Sequence, residues 1–269
     1  MVQCASSPPG ELGPPLGEGW TCTVHTWGEG DVLKLFHRGR PVEKVEREFQ
    51  ALRAIQALGL PVPAARELIE VDGRYGIVME RVAGISLLRR VQSQPWTLFA
   101  AVRELAELHV RINACRAPAG LPLQREWIAK RIDSATNLTE RDRERARCCL
   151  ADLPDGDLLC HGDFHPDNVI FTARGPVIID WDTATRGVPA GDAACTSHLI
   201  QRAHLPDSSP AYMHALLATF RGLIHRGYLS RYVRSGLATR PQIVLWQAPL
   251  AAAAIGGLAD SNPLRATRP

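Results

Sequence analysis

Two apolar, β-prone runs that enclose a polar loop constrain this chain more than any other feature. Leu159-Cys160-His161-Gly162-Asp163-Phe164-His165-Pro166-Asp167-Asn168-Val169-Ile170-Phe171 is followed, after a turn at Arg174-Gly175-Pro176, by Val177-Ile178-Ile179-Asp180-Trp181-Asp182. Such a pattern sets acidic and amide side chains at the ends of short buried strands. Asp163 and Asn168 stand five residues apart, the spacing of a catalytic-loop aspartate and a metal-holding asparagine in phosphoryl-transfer sites. Asp180 adds a carboxylate at a second strand end, and Mg²⁺ takes oxygen ligands alongside the phosphates of a substrate. An ordinary surface hairpin would account for Asp167, Asn168 and Gly175 as turn residues, but not for the order His, Asp, Asn, Asp.

His161-Gly162-Asp163-Phe164-His165-Pro166-Asp167-Asn168 followed by Ile179-Asp180-Trp181-Asp182 resembles the signature of the aminoglycoside phosphotransferase and choline kinase-like family. The likeness extends more loosely from about Leu16 to about Ala259. It implies an α+β, two-lobed protein-kinase-like fold, with a small antiparallel β-sheet lobe bearing one helix and a larger, mainly helical lobe. It also implies a Mg²⁺-dependent transfer of the γ-phosphate of ATP or GTP to a hydroxyl of a small molecule. On this reading residues 1–15 are a poorly ordered segment, 16–82 form the nucleotide-binding lobe, and 83–269 carry the catalytic loop, the metal site and the acceptor site.

The chain's 269 residues suffice for one large domain or two lobes. A net charge of +3 and the lack of like-charge runs argue against nucleic acid as a partner. No basic segment followed by an apolar core opens the chain, and the most apolar run, Ile243 to Ala259, is broken by Gln247 and Pro249. No membrane partner is therefore expected. Seven cysteines show no Cys-x-x-Cys pair, which reads as reduced thiols of a cytoplasmic protein.

Basic residues are 28 arginines and only three lysines, at 34, 44 and 130. One of the three lies inside the strand Val32-Leu33-Lys34-Leu35-Phe36, where alternation puts it on a face with Val32 and Phe36. A buried ammonium needs an anion. The following helix carries Val42, Val45, Phe49, Leu52 and Ile55 at near-helical spacing, and the family pattern would pair its Glu48 with Lys34 to orient the lysine onto phosphates. Glu46 is a rival for Lys34, and Lys44 an alternative partner for Glu48. Upstream, Gly17 and Gly19 fit a glycine-rich loop, although Cys22 stands where a third glycine would be and a plain hairpin turn is also compatible. The resemblance makes Glu80-Arg81-Val82-Ala83-Gly84 the interlobe hinge, with Glu80 and Val82 at the adenine edge. Val32 and Ile170 would sandwich the base, although either is equally compatible with plain core.

In the second lobe, helices are expected over Trp96–Ala114, over two segments within 123–152, and over Tyr212–Tyr228 and Gln242–Ala259. His109 reads as a satisfied core histidine. Asp192, after a Gly187–Gly191 loop, is a good helix N-cap, and in the family the matching residue also braces the catalytic loop. Asp163 would serve as base, and Asn168 and Asp180 as metal ligands. His161 reads as a brace, His165 either meets the acceptor or covers a loop carbonyl, and Asp182 is either a metal neighbour or a turn cap. A nucleotide-binding pseudokinase is the alternative function. A protein kinase is disfavoured because only twelve residues separate Asp180 from Asp192. From Trp181 onward there are nine arginines, four aspartates and no lysine or glutamate. That balance favours a neutral or anionic acceptor over a polycation.

Overall fold

The computed structural model describes residues 12–19, 21–202 and 211–260, and at 211–219 and 255–260 it describes the backbone only. In chain order the elements are β1 (Leu12–Glu18), β2 (Cys22–Trp27), β3 (Asp31–Phe36), α1 (Val42–Gln56), β4 (Ala65–Val71), β5 (Arg74–Glu80), β6 (Ile85–Ser86), α2 (Leu87–Ser93), α3 (Leu98–Asn113), α4 (Gln124–Ser134) and α5 (Glu140–Ala151). They continue with β7 (Leu158–Cys160), β8 (Val169–Thr172), β9 (Gly175–Ile178), β10 (Thr185–Gly187), α6 (Pro189–Arg202), α7 (Ala211–Arg234), α8 (Arg240–Leu245) and α9 (Gln247–Asp260). The fold class is α+β. One compact unit comprises the described residues up to Gly84 with Ile170–Asp182, and a second comprises Ile85–Val169 with the described residues from Thr183 onward.

The first unit is a five-stranded antiparallel sheet in the order β1-β2-β3-β5-β4. Strand alternation splits its apolar residues between two faces. Leu33, Leu35 and Val78 pack on one face with Trp27, Ile69 and Val71. Cys22, Phe36 and Ile77 lie on the other, where Val45 and Phe49 of α1 cover them. Asp72 (φ 51°) and Gly73 (φ 69°) turn β4 into β5, the two consecutive left-handed residues that a tight hairpin requires.

Two boundaries differ from the sequence reading. Strand β1 starts at Leu12, inside the segment expected to be poorly ordered to residue 15; residues 1–11 lie outside the described residues. Pro14 and Pro15 do not prevent the strand because β1 is a sheet edge, where a missing N–H is tolerated, and its register slips around Pro15. The hairpin β8–β9 with the residues to Asp182 belongs to the first unit, although it falls within the span assigned to the second lobe. Its anchor is the Ile178 N–H, which donates to the Pro61 carbonyl at 2.7 Å.

The second unit is mainly helical. Leu98, Val102, Leu105, Leu108 and Ile112 of α3 are buried at the spacing of one helical face, and α3 packs on α7 while α4 packs on α5 and α9. Strands β7 and β10 pair antiparallel, Cys160 opposite Thr185, and the polar loop leaves the end of that pair. Helix α2 had no clear sequence signal; its cap is local, with Ser86 Oγ accepting from the Arg89 N–H at 3.2 Å. Helix α6 begins at Pro189, so Asp192 lies in its first turn instead of capping it. Among the described residues no helix is long and apolar enough to cross a membrane.

Ile77 is fully buried and stands opposite Lys34 in the β3–β5 register. Replacing Ile77 by Ala is expected to lower the unfolding free energy by about 2–5 kcal/mol. Urea unfolding measures it, and a loss under about 1 kcal/mol would contradict the packing described.

Candidate active site

Lys34 is set by strand alternation on the face of β3 that α1 covers. Its Nζ donates to Glu48 Oε1 at 2.7 Å and lies 3.7 Å from Asp180 Oδ1. Glu48, not Glu46, is therefore the partner. Arg40 holds the other oxygen of Glu48 at 3.4 Å, which fixes the carboxylate against rotation. Burial works against the Lys34 ammonium, but Glu48, Asp182 and Asp180 outweigh it and hold its pKa above the ordinary lysine value. The lysine is permanently charged.

These groups open onto a cleft of about 870 Å³ within the first unit. Gly17, Gly19, Val32, Glu80 and Val82 line it together with Lys34, Glu48, Asp180 and Asp182. Ile170 Cγ2 fills the space beside Gly84, a residue of the cleft wall where an added Cβ would collide with the Phe171 carbonyl. The Gly19 N–H closes the β1–β2 turn onto the Cys22 carbonyl at 2.8 Å, so Gly19 contributes room and not a free donor. Glu80 pairs with Arg174 and accepts from the Ala64 N–H at 3.3 Å.

Asp180 adopts φ 65°, a left-handed conformation that costs a non-glycine residue energy and concentrates at functional positions. The neighbouring Trp181 is buried, with Nε1 donating to the Ile178 carbonyl at 3.0 Å. That anchor holds the turn while the Asp180 side chain stays half exposed.

In the second unit, Asp163, His165 and Asn168 come together. Asn168 Nδ2 donates to the Asp163 carbonyl at 2.9 Å and to its Oδ2 at 3.3 Å, so both hydrogen bonds of the amide nitrogen go to Asp163. His161 is buried, and its Nδ1 accepts from the Asp163 N–H at 3.3 Å. His165 Nδ1 accepts from the Asp167 N–H at 3.2 Å, so this ring caps the short turn Pro166–Asn168 and leaves its Nε2–H 3.6 Å from Asp163 Oδ2. Gly162 has φ 80°, and a Cβ there would stand 2.5 Å from the Thr183 carbonyl oxygen.

Asp192 carries the loop. It is fully buried, and its oxygens accept from the N–H groups of His161 and Gly162, each at 2.8 Å. They also take His109 Nε2 and Asn113 Nδ2, each at 2.8 Å. Burial alone would raise its pKa, but His109, Asn113 and the Gly162 amide hold it well below the usual carboxylate range. Tyr228 meets His109 Nδ1 at 2.7 Å, and the Tyr232 hydroxyl donates to Asn113. Asn113, Tyr228 and Tyr232 were not singled out from sequence. The one available signal was Asn113 four residues after His109, a second polar residue on the apolar stripe of α3.

Mg²⁺ is the cofactor implied, and the donors fit it. A hard cation seeks oxygen, and Asp180 and Asp182 of the first unit supply carboxylate oxygens on the cleft wall. Among the described residues no three His, Cys, Asp or Glu side chains gather as a metal cage. Mg²⁺ commonly binds one or two carboxylates together with substrate phosphates.

A model of the phosphotransferase enzyme family matches residues 14–228. Acyl-CoA dehydrogenase family member 11 of Gallus gallus is 30% identical over 173 residues, which are 56% of this chain and 22% of that protein. The chain spans about a fifth of the length of the curated relatives it matches. Among solved structures, aminoglycoside-3'-phosphotransferase of type VIII has a TM-score of 0.63 at 19% identity, covering 89% of this chain and 91% of that one. Amicoumacin kinase hAmiN, solved in complex with AMP-PNP, Ca²⁺ and Ami, has a TM-score of 0.67 at 15% identity, covering 97% and 84%. These likenesses establish the fold of the protein-kinase-like phosphotransferases.

Asp192 ties loop stability to pH. A carboxylate whose pKa falls on folding adds stability above its unfolded pKa and loses it as pH drops below. Wild-type protein is expected to lose stability steeply between about pH 5 and pH 2. Asp192→Asn should cost about 3–5 kcal/mol at pH 7 and flatten that acid limb. Urea midpoints at pH 7, 5 and 3 decide it; parallel pH profiles for the two proteins would contradict the assignment.

Proposed function

The chain belongs to the phosphotransferase enzyme family, and we propose that it moves the γ-phosphoryl group of ATP or GTP to a hydroxyl of a small molecule. The observation that carries this reading is the Lys34–Glu48 pair facing Asp180 in one cleft. Lys34 would hold the α- and β-phosphates, a role that requires a permanent charge in a fixed place. Glu80 and Val82 would meet the edge of the base and Val32 its face. Ile170, beside the cleft-lining Gly84, is proposed as the opposing contact through the resemblance. Gly17 and Gly19 would let the phosphates approach the turn closely.

Asp163 is the proposed base. It would accept the proton of the attacking hydroxyl as the new O–P bond forms and the bond to the leaving β-phosphate oxygen breaks. Its backbone is fixed by His161 and Asn168, so the carboxylate meets the hydroxyl without reorganising. His165 serves by holding the turn and facing Asp163. Asn168 and Asp180 are the proposed cation ligands. When bound, the divalent cation neutralises charge on the phosphate oxygens. The free thiols at the six described cysteines accord with a cytoplasmic setting.

Five carboxylates line the cleft against Lys34 and Arg81, so a triphosphate meets net repulsion until a cation accompanies it. ATP or GTP is accordingly expected to raise the melting temperature with Mg²⁺ and much less with EDTA; equal shifts would sink the metal assignment. Asp180→Ala should weaken Mg-nucleotide binding itself.

Asp163→Asn should leave nucleotide binding nearly intact while transfer falls by about 10²–10⁴-fold. The measurement is turnover on an acceptor found by screening γ-phosphate transfer to a panel of alcohols. Near-wild-type turnover in the variant would remove Asp163 from its role.

A further inference from the structure

Strand β3 and helix α1 are joined by residues 37–41. Gly39 takes φ 88°, a conformation that favours a residue without a Cβ. The Arg40 N–H donates to the His37 carbonyl at 3.3 Å and closes the connection into a turn. Two side chains of this turn hold elements of the cleft.

The first is His37. Its N–H donates to the Thr21 carbonyl at 2.9 Å, and its ring Nε2 lies 3.0 Å from the Gly19 carbonyl oxygen. A carbonyl can only accept, so Nε2 carries the hydrogen and donates. The Gly19 N–H is itself closed onto the Cys22 carbonyl. Both polar groups of the Gly19 backbone are thus engaged. The turn that brings Gly17 and Gly19 to the cleft wall is set by these bonds and not left to the freedom of glycine.

Arg40 acts on the lysine. Glu48 offers Oε1 to Lys34 at 2.7 Å and Oε2 to Arg40 at 3.4 Å. The terminal torsion of a glutamate is broad, so a bond to one oxygen lets the carboxylate swing and a second, on the other oxygen, stops it. The Arg40 guanidinium lies 4.8 Å from the centroid of the Phe36 ring, and Lys34 Nζ stands 5.6 Å from the same centroid. Two cations therefore share one ring and one carboxylate, whose side chain is only 11% exposed. Arg40 Nε is buried and meets no acceptor among the described residues. An unmet buried donor lowers stability, so this placement serves Glu48 at the expense of the fold. When phosphates draw on the Lys34 ammonium, its hold on Glu48 is shared with them. A nearly buried carboxylate needs a counterion, and Arg40 is the one that stays.

Resting on the phosphotransferase reading, we propose that the β3–α1 turn is a positioning element for the nucleotide phosphates, His37 aligning the glycine turn through the Gly19 carbonyl and Arg40 aligning Lys34 through Glu48.

The test is a set of affinities measured by calorimetry on the full chain, with whichever of Mg-ATP and Mg-GTP binds the wild type more tightly. Arg40→Gln should weaken binding about tenfold and His37→Ala about threefold, the scale of a charged and a neutral hydrogen bond. Arg40→Lys, which keeps the charge, and His37→Gln, which keeps an N–H donor, should restore most of the loss. In a Glu48→Gln background, Arg40→Gln should have no further effect, whereas His37→Ala should keep its own. A general loosening of the sheet would instead weaken binding equally in both backgrounds, and that result overturns the role of Arg40. Unchanged affinity in both Arg40→Gln and His37→Ala overturns the whole proposal and leaves the phosphotransferase reading standing. A wild type that binds neither nucleotide refutes that reading and takes this inference with it.

Discussion

One buried carboxylate holds the polar loop of Asp163 in shape. A lone ionised Asp192 in the interior would be strongly disfavoured, and its full complement of donors is what makes the site tolerable. Two of those donors are the backbone N–H groups of His161 and Gly162, which leave the strand ladder at this point. The other two, His109 and Asn113, come from one face of α3. The loop, α3 and α6 are therefore fastened at a single atom pair, and the tyrosines of α7 fasten α3 in turn. Gly162 permits the arrangement because only a residue without a Cβ can turn with φ 80° against the Thr183 carbonyl.

The two constellations differ in electrostatic character. Around Asp192 the carboxylate is fully buried and each of its oxygens is met by donors from the loop or from α3. Around Lys34 the charges are unbalanced and partly wet, with carboxylates in excess and the Asp180 side chain half exposed. A matched site suits a group that must be aimed, as the proposed base Asp163 would be. An unmatched one suits a group that completes itself with ligand.

The order of His161, Asp163, Asn168 and Asp180 was legible in the sequence because those residues lie close along the chain, where spacing encodes geometry. Lys34 was legible as a charge in an apolar strand, and the family pattern named Glu48, but only packing separated it from Glu46. The Asp192 network was much less legible. His109 and Asp192 lie 83 residues apart, so no local period joins them, and the placement of Asp192 in the first turn of α6 depends on where Pro189 starts the helix. Strand β1 escaped because two prolines argue against a strand unless it is known to be an edge. Ile170 was placed on the cleft by resemblance, and its side chain lies beside Gly84 of the cleft wall. His165 could not be resolved from sequence because its role is set by a turn three residues long.

The chain's path between the units also bears on how the protein is made. The sheet and α1 are complete once residue 84 has emerged, yet Asp180, which faces Lys34, belongs to the same unit and is synthesised far later. Until then the nascent sheet has Glu48 as the partner for its buried lysine and lacks the Pro61–Ile178 tie. Elements that close over a long stretch of chain form late. The first unit therefore waits until about half of the second has been translated, and a fragment ending near Gly84 would be unfinished, lacking the hairpin that carries its proposed cation ligand.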